Sequence, residues 1–195
     1  QFKVMECRHG IHVWPKADKV IGAALESYGE FAEGENRLMA RYLKPGDVVL
    51  DVGASVGPFT YSIIDKKPSK VICLEPSKNL YETLTNNLKK YDNVICVNKA
   101  VAHVNTAFKS WGIFDKDVQQ IWGKESDADG ITFKTLINTY SIDQIDFLKT
   151  DCEGGEYDMF TDENKEWVWE NGVLQPREIE IMQEEISKAD RRTID

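Results

Sequence analysis

DVVLDVGASVGPFT, residues 47–60, reads as a short buried strand, a glycine turn and the start of a helix. The apolar run Val48 to Val52 lies between the breaker Lys44-Pro45-Gly46 and Gly53. Short apolar runs bounded in this way are typical of strands covered on both faces in a parallel sheet. Pro58 suits the first turn of a helix, because its fixed φ and missing N–H cost nothing there, so PFTYSIID (58–65) is expected to be helical. Gly53 and Gly57 let the chain turn tightly and come close to a ligand. Their GxxxG spacing leaves the dinucleotide fingerprint GxGxxG incomplete.

Working outward, the same strand–helix alternation recurs. KVICLE (70–75) reads as a second strand, NVICVNKAVA (93–102) as a third and IDFLKTD (145–151) as a fourth. Between them, SKNLYETLTNNLKKY (77–91) carries Leu80, Leu84, Leu88 and Tyr91 on one helical face behind Ser77 as N-cap. KTLINTY (134–140) suits another helix. The polar stretch 103–130 holds either a strand or a long surface excursion. Upstream, WPKAD (14–18) suits a turn, and AALESYGEF (23–31) carries weak helical signals. EGENRLMARYL (33–43) suits a short helix with Leu38, Met39 and Tyr42 facing inward. We therefore expect an α/β fold with a doubly wound, mostly parallel sheet. Right-handed crossovers place the strand carboxyl ends on one edge, where ligands bind at the point of strand-order reversal.

The chain has 195 residues, which suits one domain with a sizeable core. We divide it into a lead-in segment (1–35), a Rossmann-like core (36–164) and an acidic C-terminal segment (165–195). It opens on Gln1 rather than Met, so we expect residues before it. Neither a secretory signal nor an apolar run long enough for a membrane span is evident. Cys7, Cys73, Cys96 and Cys152 are scattered, without CxxC, and His9, His12 and His103 form no cluster. Structural zinc and a disulfide framework are therefore not expected, and the cysteines point to the cytoplasm. The net charge is −9, and it is uneven: residues 151–195 hold 5 basic and 14 acidic residues, whereas the rest is balanced. From the acidic total we expect no nucleic-acid partner.

Three groups carry candidate chemistry. Asp51, Gly53, Ala54, Ser55 and Gly57 sit at the first strand-to-helix turn, where the helix amides can meet a polar group. The plain alternative is a turn that merely needs small residues. Glu75-Pro76-Ser77 closes the second strand, with Glu75 24 residues after Asp51. That is the range at which an acidic residue holds the hydroxyls of a ribose; the alternative is a charge complementing a helix dipole. Lys149-Thr-Asp151-Cys152-Glu153-Gly-Gly-Glu156 closes the fourth strand. Its carboxylates can act as a general base, hold a metal or anchor a ligand, or form a solvated loop. We single out Asp151 and Glu153 as catalytic candidates, Asp151 also as a candidate ligand for a divalent metal.

DVVLDVGASVGPFT, VICLEPS and IDFLKTDCEGGEYDMF together resemble the FkbM-type S-adenosylmethionine-dependent methyltransferases. YGEFAEGE (28–35) resembles the lead-in of that family, and NKAVA (98–102) the end of its third strand. The resemblance spans roughly residues 26–164 and implies the class I methyltransferase fold. It also implies S-adenosyl-L-methionine as cofactor and O-methylation of a small molecule or saccharide. Carried over by motif, Asp51 to Gly57 would wrap the amino-acid part of the cofactor and Glu75 would hold its ribose. Asn98 to Ala100 would lie by the adenine, and Asp151 and Glu153 would face the methyl group and the acceptor. Where the family continues into a fifth strand and a closing hairpin, this chain departs from it. Pro176, Ile179, Met182 and Ile186 favour a helix there over a strand at REIEIM, and we expect the C-terminal strands to be cut short. Two other readings stand beside this one. One is an NAD-dependent oxidoreductase, which the missing third glycine weakens. The other is a cofactor-binding remnant without turnover.

Overall fold

The computed structural model describes residues 1–111 and 125–152. Among these residues the centre is a four-stranded, wholly parallel sheet with the segments Val94–Val97, Lys70–Leu74, Val48–Val52 and Phe147–Thr150 side by side in that order. The strands are β3 (Val48–Val52), β4 (Lys70–Leu74), β5 (Val94–Val97) and β9 (Phe147–Thr150). In β3 and β4 the apolar side chains alternate between two cores. Leu50, Val52, Ile72 and Leu74 face α5 (Phe133–Tyr140) in one core, packing on Phe133, Leu136 and Ile137. Val49, Val71 and Cys73 belong to the other, with Phe59 and Ile63 of α3 (Pro58–Ile63) and Leu84 and Leu88 of α4 (Lys78–Leu88). Two-sided cover explains why these strands read as continuous apolar runs rather than as alternating polar and apolar residues. This is the class I, Rossmann-like α/β fold.

The first fifteen residues form an antiparallel hairpin, β1 (Phe2–Cys7) and β2 (Gly10–Pro15). Trp14, 1% exposed, packs with Val56, Leu80 and Leu25 of α1 (Ile21–Tyr28). Asn87 of α4 fastens the hairpin to the core. Its Oδ1 accepts from Val13 N at 2.9 Å, and its Nδ2 donates to the carbonyls of Val13 and Val56, each at 2.9 Å. The Tyr61 hydroxyl adds bonds to the carbonyls of Ile11 and Asn87, both at 2.8 Å.

Three expectations are revised. The helix near residue 33 is α2 (Glu33–Met39), and Leu38 and Tyr42 point outward, 53% and 70% exposed. Met39 does face inward as expected, joined by Asn36 and Ala40 and followed by Leu43, with the Asn36 amide donating to Phe31 O at 2.9 Å. Apolar spacing alone suggested the wrong stripe because this seven-residue helix buries a polar residue to secure its own entry. The strand expected over 93–102 is interrupted. β5 ends at Val97, and β6 (Ala100–Val101) pairs in parallel with β8 (Glu125–Ile131) instead. β7 (Ala107–Trp111) runs antiparallel to β8, so the polar stretch holds a second small sheet. Ser77 occupies the α4 N-cap position without a side-chain capping bond. The tail helix expected near Pro176 lies outside the described residues.

Replacing Asn87 with Ala removes partners from three backbone groups at once. We expect unfolding free energy to fall by about 2–4 kcal/mol, measured by urea denaturation. A loss below about 1 kcal/mol would show that the hairpin does not depend on this side chain.

Candidate functional site

The chain runs β3, β4, β5 to one side and returns as β9 on the other side of β3. Strand order therefore reverses between β3 and β9, and a crevice opens at their carboxyl ends. The glycine turn follows β3 directly at this point. Gly53 has φ 78°, and a Cβ there would lie 2.1 Å from the carbonyl oxygen of Asp151. Position 53 must therefore lack a side chain if the ends of β3 and β9 are to meet. Gly57 has φ 94° and packs against Leu84 and Leu88. Ser55, between them, is also left-handed at φ 50°, a strained state for a residue with a side chain.

Glu75 holds that strained turn. One carboxylate oxygen accepts from Ser55 N at 2.9 Å and the other from Ser77 N at 2.8 Å. The two turns after β3 and β4 are thus bridged by a single side chain that is only 5% exposed. Gly53 N and Ala54 N both donate to Leu74 O at 3.0 Å, which reinforces the bridge. Burial raises the Glu75 pKa to about 7, with the Ser77 and Ser55 amides and the Lys149 cation opposing the rise. Asn98 lies at the end of β5 and donates to the carbonyls of Glu75 and Pro76, at 2.8 and 3.0 Å. Ala100, half-buried, pairs with Gly130 in the small sheet.

Asp51 is fully buried. Its Oδ2 accepts from Thr60 Oγ1 at 3.0 Å, and its Oδ1 faces Lys149 Nζ at 3.1 Å. Lys149 also donates to Gly53 O at 3.0 Å and stands 4.0 Å from Asp151 Oδ2. Burial alone would lower the Lys149 pKa. Asp51 and then Asp151 more than offset it, so the pKa is raised and the cation persists at neutral pH. Asp151 N donates to Val52 O at 3.1 Å, while its side chain is 65% exposed at the crevice. Asp51, Gly53 to Gly57, Glu75 to Ser77, Asn98 and Asp151 thus converge on one sheet edge. Glu153 lies outside the described residues. Among the described residues no three metal-ligating side chains gather. Sequence reading assigned no role to Lys149 or Thr60, because their contacts with Asp51 depend on strand register and helix packing.

The methyltransferase FkbM domain family matches this chain over residues 51–190. A curated relative, ribosomal RNA small subunit methyltransferase A of Pediococcus pentosaceus, is 33% identical. That match covers 43% of this chain and 32% of the relative, so the chain spans about a third of the relative's length. Among solved structures, a putative RNA methyltransferase from Pyrococcus horikoshii shares 26% identity over 38% of this chain and 39% of its own, with a TM-score of 0.34. A putative protein-L-isoaspartate O-methyltransferase from Plasmodium falciparum, in complex with S-adenosyl-L-homocysteine, shares 30% over 35% and 38%, with a TM-score of 0.32. The expected exclusion of nucleic-acid partners is corrected by the ribosomal RNA relative. The acidic total was a poor guide because its whole excess belongs to residues 151–195, while residues 1–150 carry no net charge.

Glu75 gives the site a pH signature. An unfolded carboxyl ionises near 4.5 and the buried one near 7, so between these values the folded state binds the extra proton. Stability attributable to Glu75 is therefore greatest below about 4.5, falls as pH rises toward 7, and is flat above. We expect the stability difference between wild type and Glu75→Gln to fall at about 1 kcal/mol per pH unit across that window. Urea titrations at several pH values test this, and a flat difference would refute it.

Proposed function

The chain belongs to the FkbM methyltransferase domain family, and from that premise we propose that it binds S-adenosyl-L-methionine at this edge and methylates a hydroxyl of a small molecule or sugar. The observation that carries the reading is the glycine turn at the strand reversal with carboxylates on three sides of it. Those acceptors suit a ligand with a ribose diol, an ammonium and a sulfonium. Bound there, the cofactor supplies a methyl carbon made electrophilic by its sulfonium.

In this reading Gly53, Ala54, Ser55 and Gly57 receive the amino-acid part, with Asp51 acting on it from behind the turn. Each Glu75 oxygen already accepts one backbone N–H and keeps a second lone pair for a ribose hydroxyl. Pro76, Ser77, Asn98 and Ala100 border the adenine side. Asp151, exposed and next to the turn, would take the proton of an acceptor hydroxyl. An alcohol is a weak nucleophile until that proton leaves, so a placed base contributes about 10²–10⁴ in rate. Alignment of oxygen, methyl carbon and sulfur supplies much of the rest. A second reading, methylation of RNA, is favoured by the 33% identical ribosomal RNA methyltransferase. A cytoplasmic setting is supported by the scattered cysteines, which show no CxxC spacing. No described helix is long and apolar enough to cross a membrane.

Calorimetry should show heat with S-adenosyl-L-methionine and none with NAD; the reverse would restore the oxidoreductase reading. Asp151→Asn should keep cofactor affinity within about twofold and lose about 10²–10⁴ in turnover. Unchanged turnover would remove Asp151 as the base. Methyl label from the cofactor, offered to pooled sugars and hydroxylated metabolites or to RNA, separates the two acceptor readings. Cofactor binding without transfer to any acceptor would favour a remnant.

A further inference from the structure

The Lys149 ammonium reaches three parts of the site at once. Strand register sets it directly beside Asp51 across β3 and β9. From there Nζ meets Asp51 Oδ1 at 3.1 Å and Gly53 O at 3.0 Å, with Asp151 Oδ2 at 4.0 Å. These oxygens belong to the last residues of β3, the glycine turn and the end of β9. Among the described residues Lys149 is the cation that faces Asp51 Oδ1, so this ion pair is what compensates the burial of that oxygen.

Stability alone does not account for such a pair. Taking both charges out of water costs about as much as their attraction returns, and apolar residues of similar volume would usually hold the strands together equally well. The neighbouring positions on β3 and β4 are filled by Val, Leu and Ile, which shows that an apolar choice fits this sheet. What an apolar residue cannot do is hold a carbonyl oxygen of the turn and attract a carboxylate on the next strand. Gly53 O is fixed by Lys149, while Gly53 N is fixed by Leu74 O on the opposite side. The turn is therefore held from both neighbouring strands.

Resting on the methyltransferase reading for the identity of the ligand, we propose that Lys149 is a positioning residue, which ties the Gly53 carbonyl and the Asp151 carboxylate into one fixed frame so that the cofactor turn and the base keep their working separation. It acts through those two residues rather than on the reacting atoms.

Lys149→Met alone strands the buried Asp51 carboxylate, so the test uses the full chain carrying Asp51→Asn with Lys149→Met, against Asp51→Asn as reference. Circular dichroism and urea denaturation report the fold, hydrogen exchange reports the turn, and calorimetry reports S-adenosyl-L-homocysteine affinity. We expect the pair variant to fold, with the Gly53, Ala54 and Ser55 amides exchanging at least tenfold faster than in the reference. Val71 and Ile72 should exchange at unchanged rates. Affinity for S-adenosyl-L-homocysteine should drop at least tenfold, and Lys149→Arg alone should stay within threefold of wild type in both readouts. Turn exchange within twofold of the reference would overturn the proposal, as would an unfolded pair variant, which would show a purely structural role. If wild type itself binds no S-adenosyl-L-homocysteine, the cofactor reading fails, and the exchange rates alone decide the role of Lys149.

Discussion

A Cβ at position 53 would lie 2.1 Å from the carbonyl oxygen of Asp151, and this steric limit organises the site. With glycine there, the backbone leaving β3 passes against the end of β9. Asp151 N then reaches Val52 O, Lys149 reaches Gly53 O, and the left-handed peptide sends its N–H to Leu74 on the other side. Any residue with a side chain would push the two strands apart where the strand order reverses. The crevice, the placement of Asp151 and the reach of Lys149 all follow from that single missing atom.

The polar groups behind the turn are arranged as a closed set of partners. Asp51 is divided between Thr60 and Lys149, and Glu75 between the amides of Ser55 and Ser77. Each carboxylate would be costly if left unpaired at such burial. Glu75, paired in this way, holds Ser55 in a left-handed conformation that its side chain disfavours. Strain and buried charge at the carboxyl edge of a parallel sheet are the expected marks of a site shaped for a ligand, since the core below is apolar and unstrained.

Much of this was legible in the chain. Strands β3 and β4 were readable because two-sided burial demands apolar runs, and α4 because Leu80, Leu84 and Leu88 repeat at helical spacing. The glycine turn and Glu75 stood out in the chain because glycines after an apolar run, and an acidic residue closing the next one, are local signals. Other features were hidden. Leu38 and Tyr42 fit an inward face by spacing, but buried Asn36 turned the helix the other way. NVICVNKAVA looks like one strand, yet the chain leaves the main sheet after Val97 and joins a second one. Asn98 gave no hint that its amide would brace the carbonyls of Glu75 and Pro76.

The sequence by itself determined the alternation of strands and helices, the parallel sheet and the family, because hydrophobic period and glycine placement are local properties of the chain. Only the tertiary structure decided which side chains meet. The pairing of Asp51 with Lys149, the bridge from Glu75 to Ser55 and the contact of Gly53 with Asp151 join residues 20 to 98 positions apart. Such contacts depend on strand order and register, which are fixed when the whole sheet packs against its helices, and no local pattern records them.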